Sequence, residues 1–138
     1  MVSIPSEAEA ILRERFGKDN VIALATTEGT VPQVRYVNAY YEDGAFYVIT
    51  HALSNKMRQL AGNPAAAIAG DWFTGHGTGR SLGALGKEEN RALAETLKQV
   101  FASWLGNGHT DLADENTIIL QVQLTDGCLL SHGTKYQF

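Results

Sequence analysis

The sequence predicts an α+β, mainly β fold: an antiparallel sheet or small barrel with helices at its flanks. Short β-branched runs follow one another with connections too brief for a crossover helix, which favours a meander over a βαβ unit. Asp43-Gly44 stands between two such runs, a strong hairpin signal. Helical spacing of apolar residues is confined to the segments near residues 6–16, 54–61 and 87–105.

Pro5 and Ser6 open a first helix, with Ser6 and Glu9 at capping-box spacing and Gly17 as the stop. Ala8, Ile11, Leu12 and Phe16 share one of its faces. Val21 to Thr27 is a short apolar strand closed by Glu28-Gly29, and Val31 to Tyr41 is a second. Ala45 to Thr50 makes the third, after the hairpin turn. Ser54 caps a short helix running through Lys56, Met57 and Leu60 to Ala61, stopped by Gly62-Asn63-Pro64. Ala65 to Phe73 reads as one buried strand, Gly75 to Gly79 as a tight connection between strands, and Ser81 to Leu85 as a further extended piece. Lys87 to Leu105 is the clearest helix, with Leu93, Leu97, Val100, Phe101, Trp104 and Leu105 on one side and Glu88, Glu89, Arg91, Glu95 and Lys98 on the other. Strands at Thr117 to Leu124 and Cys128 to Ser131, and a last one reaching Phe138, complete the order.

A chain of 138 residues fits one domain, residues 1–138. With 44% hydrophobic and 19% charged residues it is expected to pack a core. No apolar run approaches the roughly 20 residues that span a bilayer, and no basic region followed by an apolar stretch opens the chain, so neither a membrane span nor a signal peptide is expected. Cys128 is the single cysteine and suits a reducing cytoplasm. The formal net charge is −4 and the lysines and arginines are dispersed, which argues against nucleic acid as a partner.

The segment from Arg35 to Lys56 is the richest in chemistry. Arg35 interrupts an otherwise apolar strand. Thr50 ends the third strand, and His51-Ala52-Leu53-Ser54-Asn55-Lys56 leads into a helix start, where free N–H groups and a partial positive charge suit a phosphate. Thr50, Ser54, Lys56 and Arg35 would add hydroxyl donors and two cations for a dianion. The same residues also suit a plain capped helix, a solvated lysine and an arginine paired with a surface carboxylate.

The ordered set Arg35-Tyr36-Val37-Asn38, Asp43-Gly44-Ala45-Phe46-Tyr47-Val48-Ile49-Thr50, Ser54-Asn55-Lys56 and Leu60-Ala61-Gly62-Asn63-Pro64 resembles the FMN-binding split-barrel family of pyridoxamine 5'-phosphate oxidase. The likeness runs from about Val21 to Leu85 and continues more weakly to the end. It implies an antiparallel split β-barrel of six or more strands with flanking helices. It also implies flavin mononucleotide (FMN) as cofactor, with Arg35 and Lys56 on the phosphate and Ser54 and Asn55 beside it. The backbone of Val37 and Asn38 would run along the isoalloxazine ring, with Tyr36 among the cofactor-binding residues; Ile49 and Thr50 would touch the ring or ribityl chain, and His51 would line the site or simply face solvent. A homodimer with the ligand between subunits follows, and Trp104 and residues near Leu129 are candidates for the partner's share. Asn55 replaces a basic residue usual in the true oxidase, and the C-terminal tryptophan and arginine that hold pyridoxal phosphate have no counterpart. The resemblance therefore implies a flavin reductase, or a relative of the nitroimidazole reductases, acting on a small planar acceptor. A non-enzymatic flavin or haem carrier and a deazaflavin-dependent reductase are the alternatives on this fold.

Other signals are weaker. Gly75-His76-Gly77-Thr78-Gly79 fails both dinucleotide and Walker spacing. His51, His76, His109 and His132 are dispersed, so no metal site is expected, though each is a candidate ligand if the cofactor is haem. No Gly-x-Ser-x-Gly or other acid–base signature appears, and no catalytic side chain is named.

Overall fold

Alternation along the strands sorts an inside from an outside. In β1 (Asn20–Glu28) Ile22, Leu24 and Thr26 are buried, while Val21 is exposed and Ala23 and Ala25 are half-buried. In the computed structural model, which describes residues 2–138, the buried set points into an antiparallel barrel. Met1, the first residue of the expected domain, lies outside the described residues. β1 lies between β2 (Val31–Glu42) and β4 (Ala65–Gly70), and β3 (Ala45–His51) follows β2 through the Asp43-Gly44 turn. β5 (Phe73–Ala84) joins β4 to the long β6 (Thr117–Ser131). Pairing of β3 with β6, from Ala45 opposite Gln123 to His51 opposite Thr117, closes six strands into a barrel. β7 (Thr134–Gln137) adds a seventh strand to β6.

Helix α1 (Ser6–Phe16) lays Ala8, Leu12 and Phe16 over the end where β1 begins; the Phe16 ring meets Phe46 and Phe73 at centroid distances of 5.6 and 5.8 Å. Helix α2 (Asn55–Gly62) covers the opposite end with Met57 and Leu60. Outside the barrel, α3 (Arg91–Val100) and α4 (Ala102–Leu105) bury Leu97, Phe101 and Leu105 against Leu85 and Ile119. Each large side chain so buried stabilises the fold by about 1.5–3 kcal/mol. Two cores therefore meet at the wall of β3 and β6, one inside the barrel and one beneath α3.

Five expectations need correction. The buried strand ends at Gly70, and Asp71-Trp72 turns the chain before β5, with Trp72 at φ 52°. Gly75 to Gly79 is the interior of β5, not a connection: glycines face in while Thr74, His76, Thr78 and Arg80 face out. The helix from Lys87 is interrupted. A 3-10 turn at Glu88–Asn90 precedes α3, because Lys87 is extended and the Asn90 amide donates to the Leu82 and Ala84 carbonyls; Phe101 then breaks α3 from α4. The strands expected at Thr117 to Leu124 and Cys128 to Ser131 are one strand with an extra residue, Thr125, between the pairs His76–Asp126 and Gly77–Leu124. Neither Ser6 nor Ser54 makes a side-chain cap: Pro5 occupies the N-cap of α1, and Glu9 instead accepts a hydrogen bond from the Tyr41 hydroxyl.

The glycines of β5 have a steric cause. A Cβ on Gly77 would lie 2.7 Å from the Gln123 carbonyl oxygen and 2.8 Å from Val122 Cγ1, beside the bulge. Gly77→Ala is accordingly expected to destabilise the protein by about 1–3 kcal/mol, read as a lowered midpoint in urea at unchanged m-value. A change within about 0.5 kcal/mol, the range of an indifferent surface position, would contradict this close approach of β5 and β6.

Candidate functional site

Arg35 pairs with Leu24 across β1–β2, so its side chain starts on the inner face of the wall and runs toward the end covered by α2. There its Nη1 donates to Thr26 Oγ1 at 2.7 Å and, at 3.3 Å, to the Leu24 carbonyl; its Nη2 donates to Gln59 Oε1 at 2.7 Å. Lys56, in the first turn of α2, donates from Nζ to Thr50 Oγ1 at 2.6 Å. Burial pushes the Lys56 amine below the ordinary lysine value, and the nearby charge of Arg35 adds to the shift. Burial also lowers Arg35, which nevertheless stays protonated at any physiological pH. Among the described residues neither cation forms an ion pair with a carboxylate. Two half-buried like charges thus lie near one another with neutral partners only.

The surroundings of this pair fit an anion. The first turn of α2 presents backbone N–H groups that have no intrahelical acceptor. The Ser54 hydroxyl is buried and without a partner among the described residues, although Ser54 stands at the N-cap. A phosphate group would supply what this hydroxyl and the two cations lack.

The remaining expected residues divide by strand parity. Val37 shares the inward face with Arg35 and packs on the barrel core. Tyr36 and Asn38 point outward; Tyr36 is 80% exposed, and the Asn38 amide donates to Asp19 at 3.0 Å. Ile49 packs under α3, on the opposite face of β3 from Thr50. Asn55 is exposed at the start of α2. His51 is exposed, and its Nδ1 accepts the Leu53 N–H, so in the neutral ring Nε2 carries the proton. Arg35, Thr50, Ser54 and Lys56 are therefore brought together, while the side chains of Tyr36, Asn38 and Ile49 lie on other faces.

Of the candidates for a partner's share, Leu129 lies in the core, and the Trp104 indole already donates to Asp19 of its own chain at 3.1 Å. His76 holds Asp126 at 3.0 Å on the outer wall, and His109 and His132 sit in exposed turns. Among the described residues no three metal-ligating side chains cluster, and no helix is long and apolar enough to cross a membrane.

Sequence reasoning missed Thr26 and Gln59. Thr26 carried a signal: it continues the inward row of Ile22 and Leu24, where a hydroxyl needs a partner. Gln59 follows Lys56 by three residues, one helical turn, and so shares its face of α2.

The closed six-stranded barrel is shared with known proteins. Residues 6–126 match the family of pyridoxamine 5'-phosphate oxidase, and the chain belongs to that family. Solved structures share the fold at low identity. A haem-binding protein from Mycobacterium smegmatis is 18% identical, with 99% of this chain and 59% of that one aligned at a TM-score of 0.71. A NimC/NimA family protein from Clostridium acetobutylicum is 21% identical over 94% of this chain and 92% of its own, with a TM-score of 0.66. An FAD-binding protein from Mesorhizobium loti is 13% identical over 86% and 90%, with a TM-score of 0.64. No curated protein matches the chain.

The lowered Lys56 value has a consequence for stability. Just below the ordinary lysine value near ~10.4, the folded chain binds fewer protons than the unfolded one, so its stability rises with pH there when no anion is added. Thermal midpoints across this alkaline range should show that rise in the wild type and a flatter profile in Lys56→Met. Parallel profiles would contradict the half-buried placement of Lys56.

Proposed function

We propose that the chain is an FMN-binding flavoprotein, a homodimeric oxidoreductase that grips the FMN phosphate between Arg35 and Lys56. The observation that carries this reading is the cation pair without a carboxylate. A phosphate monoester brings about two negative charges to such a pair, whereas riboflavin would leave the cations uncompensated. Thr50, Ser54 and the N–H groups of the first turn of α2 would complete the phosphate's hydrogen bonds. When bound, FMN would supply the redox chemistry, taking hydride from a reduced nicotinamide and passing electrons to a small planar acceptor. The chain's own residues bind and orient; none stands as a required acid or base. A flavin reductase or a relative of the nitroimidazole reductases fits this division of labour, and a reducing cytoplasm suits the unpaired Cys128.

The outer wall supports the homodimer. Cross-strand register places Tyr36 beside Ala23 and Ala69, and Val34 beside Ala25 and Ala67, on one face. Val34 is 70% exposed, and the alanines floor a groove of about 490 Å³. An exposed apolar face of this kind suits a second copy of the chain. Because Arg35 sits between Val34 and Tyr36, the phosphate recess would border that interface.

Flavin titration followed by fluorescence tests the reading. Each charge-assisted bond is worth about 1.5–3 kcal/mol, so an Arg35→Ala, Lys56→Ala double variant should bind FMN at least ~100-fold more weakly. Undiminished affinity would show that the phosphate lies elsewhere. With FMN present, light scattering should report two copies of the wild type and one of a Val34→Glu, Tyr36→Glu variant; a monomeric wild type would remove the dimer from the proposal.

A further inference from the structure

We infer that Gln59 and Thr26 are positioning residues that hold Arg35 by neutral acceptors only, keeping its charge available to the incoming phosphate. The inference rests on the phosphate reading of the Arg35–Lys56 recess. Its ground is a closed ring of three hydrogen bonds. Arg35 Nη1 donates to Thr26 Oγ1 at 2.7 Å, Thr26 Oγ1 donates to Gln59 Oε1 at 2.6 Å, and Arg35 Nη2 donates to the same Oε1 at 2.7 Å. Thr26 and Gln59 are both buried, so the ring is shielded from water.

The bond directions fix the Gln59 amide. Its oxygen takes two donors, so its nitrogen must turn away, and it faces Glu28 Oε1 across a long 3.5 Å contact. Glu28 is itself paired with Arg58 at 2.5 Å, which holds its carboxyl below the usual carboxylate range. Gln59 therefore stands between Arg35 and the carboxylate that borders the cluster. An Arg–carboxylate pair here would be strong and bidentate, and it would neutralise the cation that the phosphate needs. A neutral amide fixes the guanidinium without that loss.

Its setting makes the choice of residue informative. Met57 and Leu60 flank Gln59 on the buried face of α2, where an apolar side chain would pack well. Burying a primary amide is unfavourable unless its hydrogen bonds are made, and at Gln59 the buried oxygen makes them to Arg35 and Thr26. The amide thus exists in this core for Arg35, not for packing.

The experiment compares FMN with riboflavin, which lacks the phosphate. Dissociation constants for both are measured by flavin fluorescence on the full chain, with the thermal midpoint recorded for every variant. Wild type should prefer FMN by at least tenfold, about 1.4 kcal/mol. Gln59→Glu places a carboxylate against Arg35 in the same shape. It should bring the preference to within about threefold while riboflavin affinity holds; its second oxygen meets Glu28 where the amide nitrogen stood, so the thermal midpoint serves only to show that the variant folds. Thr26→Val, which removes one acceptor and keeps the volume, should lower the preference in the same direction by a smaller factor; it carries the test if Gln59→Glu does not fold. An unchanged preference in either folded variant overturns the inference. So does a parallel loss of FMN and riboflavin, which is what a purely structural role would give. If the wild type itself does not discriminate between the two flavins, the phosphate reading fails first and the inference falls with it.

Discussion

Arg35 and Lys56 bring like charges close together beside α2, and among the described residues no carboxylate pairs with either. Left to themselves such groups repel and would be better solvated apart. The rest of the structure keeps them together. The β1–β2 register sets Arg35 opposite Leu24, closure of β3 on β6 sets Thr50, and the short link from His51 to Ser54 leaves Lys56 in the first turn of α2. The two hydrophobic cores supply the stability that this arrangement draws on, because both bury large side chains against the same strands.

Strand alternation makes one strand serve two purposes. Along β2, Arg35 and Val37 turn toward the barrel while Val34 and Tyr36 turn out to a face of small residues. The inner set can hold an anion and the outer set can meet a partner, within four consecutive residues. A ligand bound by such a strand would lie at the edge of a subunit interface, so the proposed dimer and the proposed cofactor site share one geometric origin. The glycine row of β5 belongs to the same design. It lets the wall draw in at the β6 bulge and leaves a polar outer stripe from Thr74 to Arg80.

Most of the fold was legible because periodicity and turn chemistry are local. Asp43-Gly44, Glu28-Gly29 and the short β-branched runs they bound placed those strands within a residue or two of their observed ends. Gly75 to Gly79 was not legible as a strand, since glycine weakens every propensity signal and its reason is a distant one, the backbone of Gln123. The break before α3 depends on Asn90 reaching the Leu82 and Ala84 carbonyls, a contact that helical spacing cannot reveal. At the site, the types and order of Arg35, Thr50, Ser54 and Lys56 announced anion chemistry. The side chains that aim Arg35 come from β1 and α2, far along the chain, and emerged only once the barrel had closed. Parity also separated residues that adjacency in sequence had grouped, leaving Tyr36, Asn38 and Ile49 on other faces from the cation pair.

The central claim is about where one phosphate group sits. A crystal structure of the chain grown with FMN tests it most directly. The phosphate is expected within hydrogen-bond reach of Arg35 and Lys56, roughly 2.7–3.2 Å, with the Ser54 hydroxyl turned onto it. A flavin whose phosphate lies in solvent or against another set of side chains, with Arg35 and Lys56 unchanged, would contradict it.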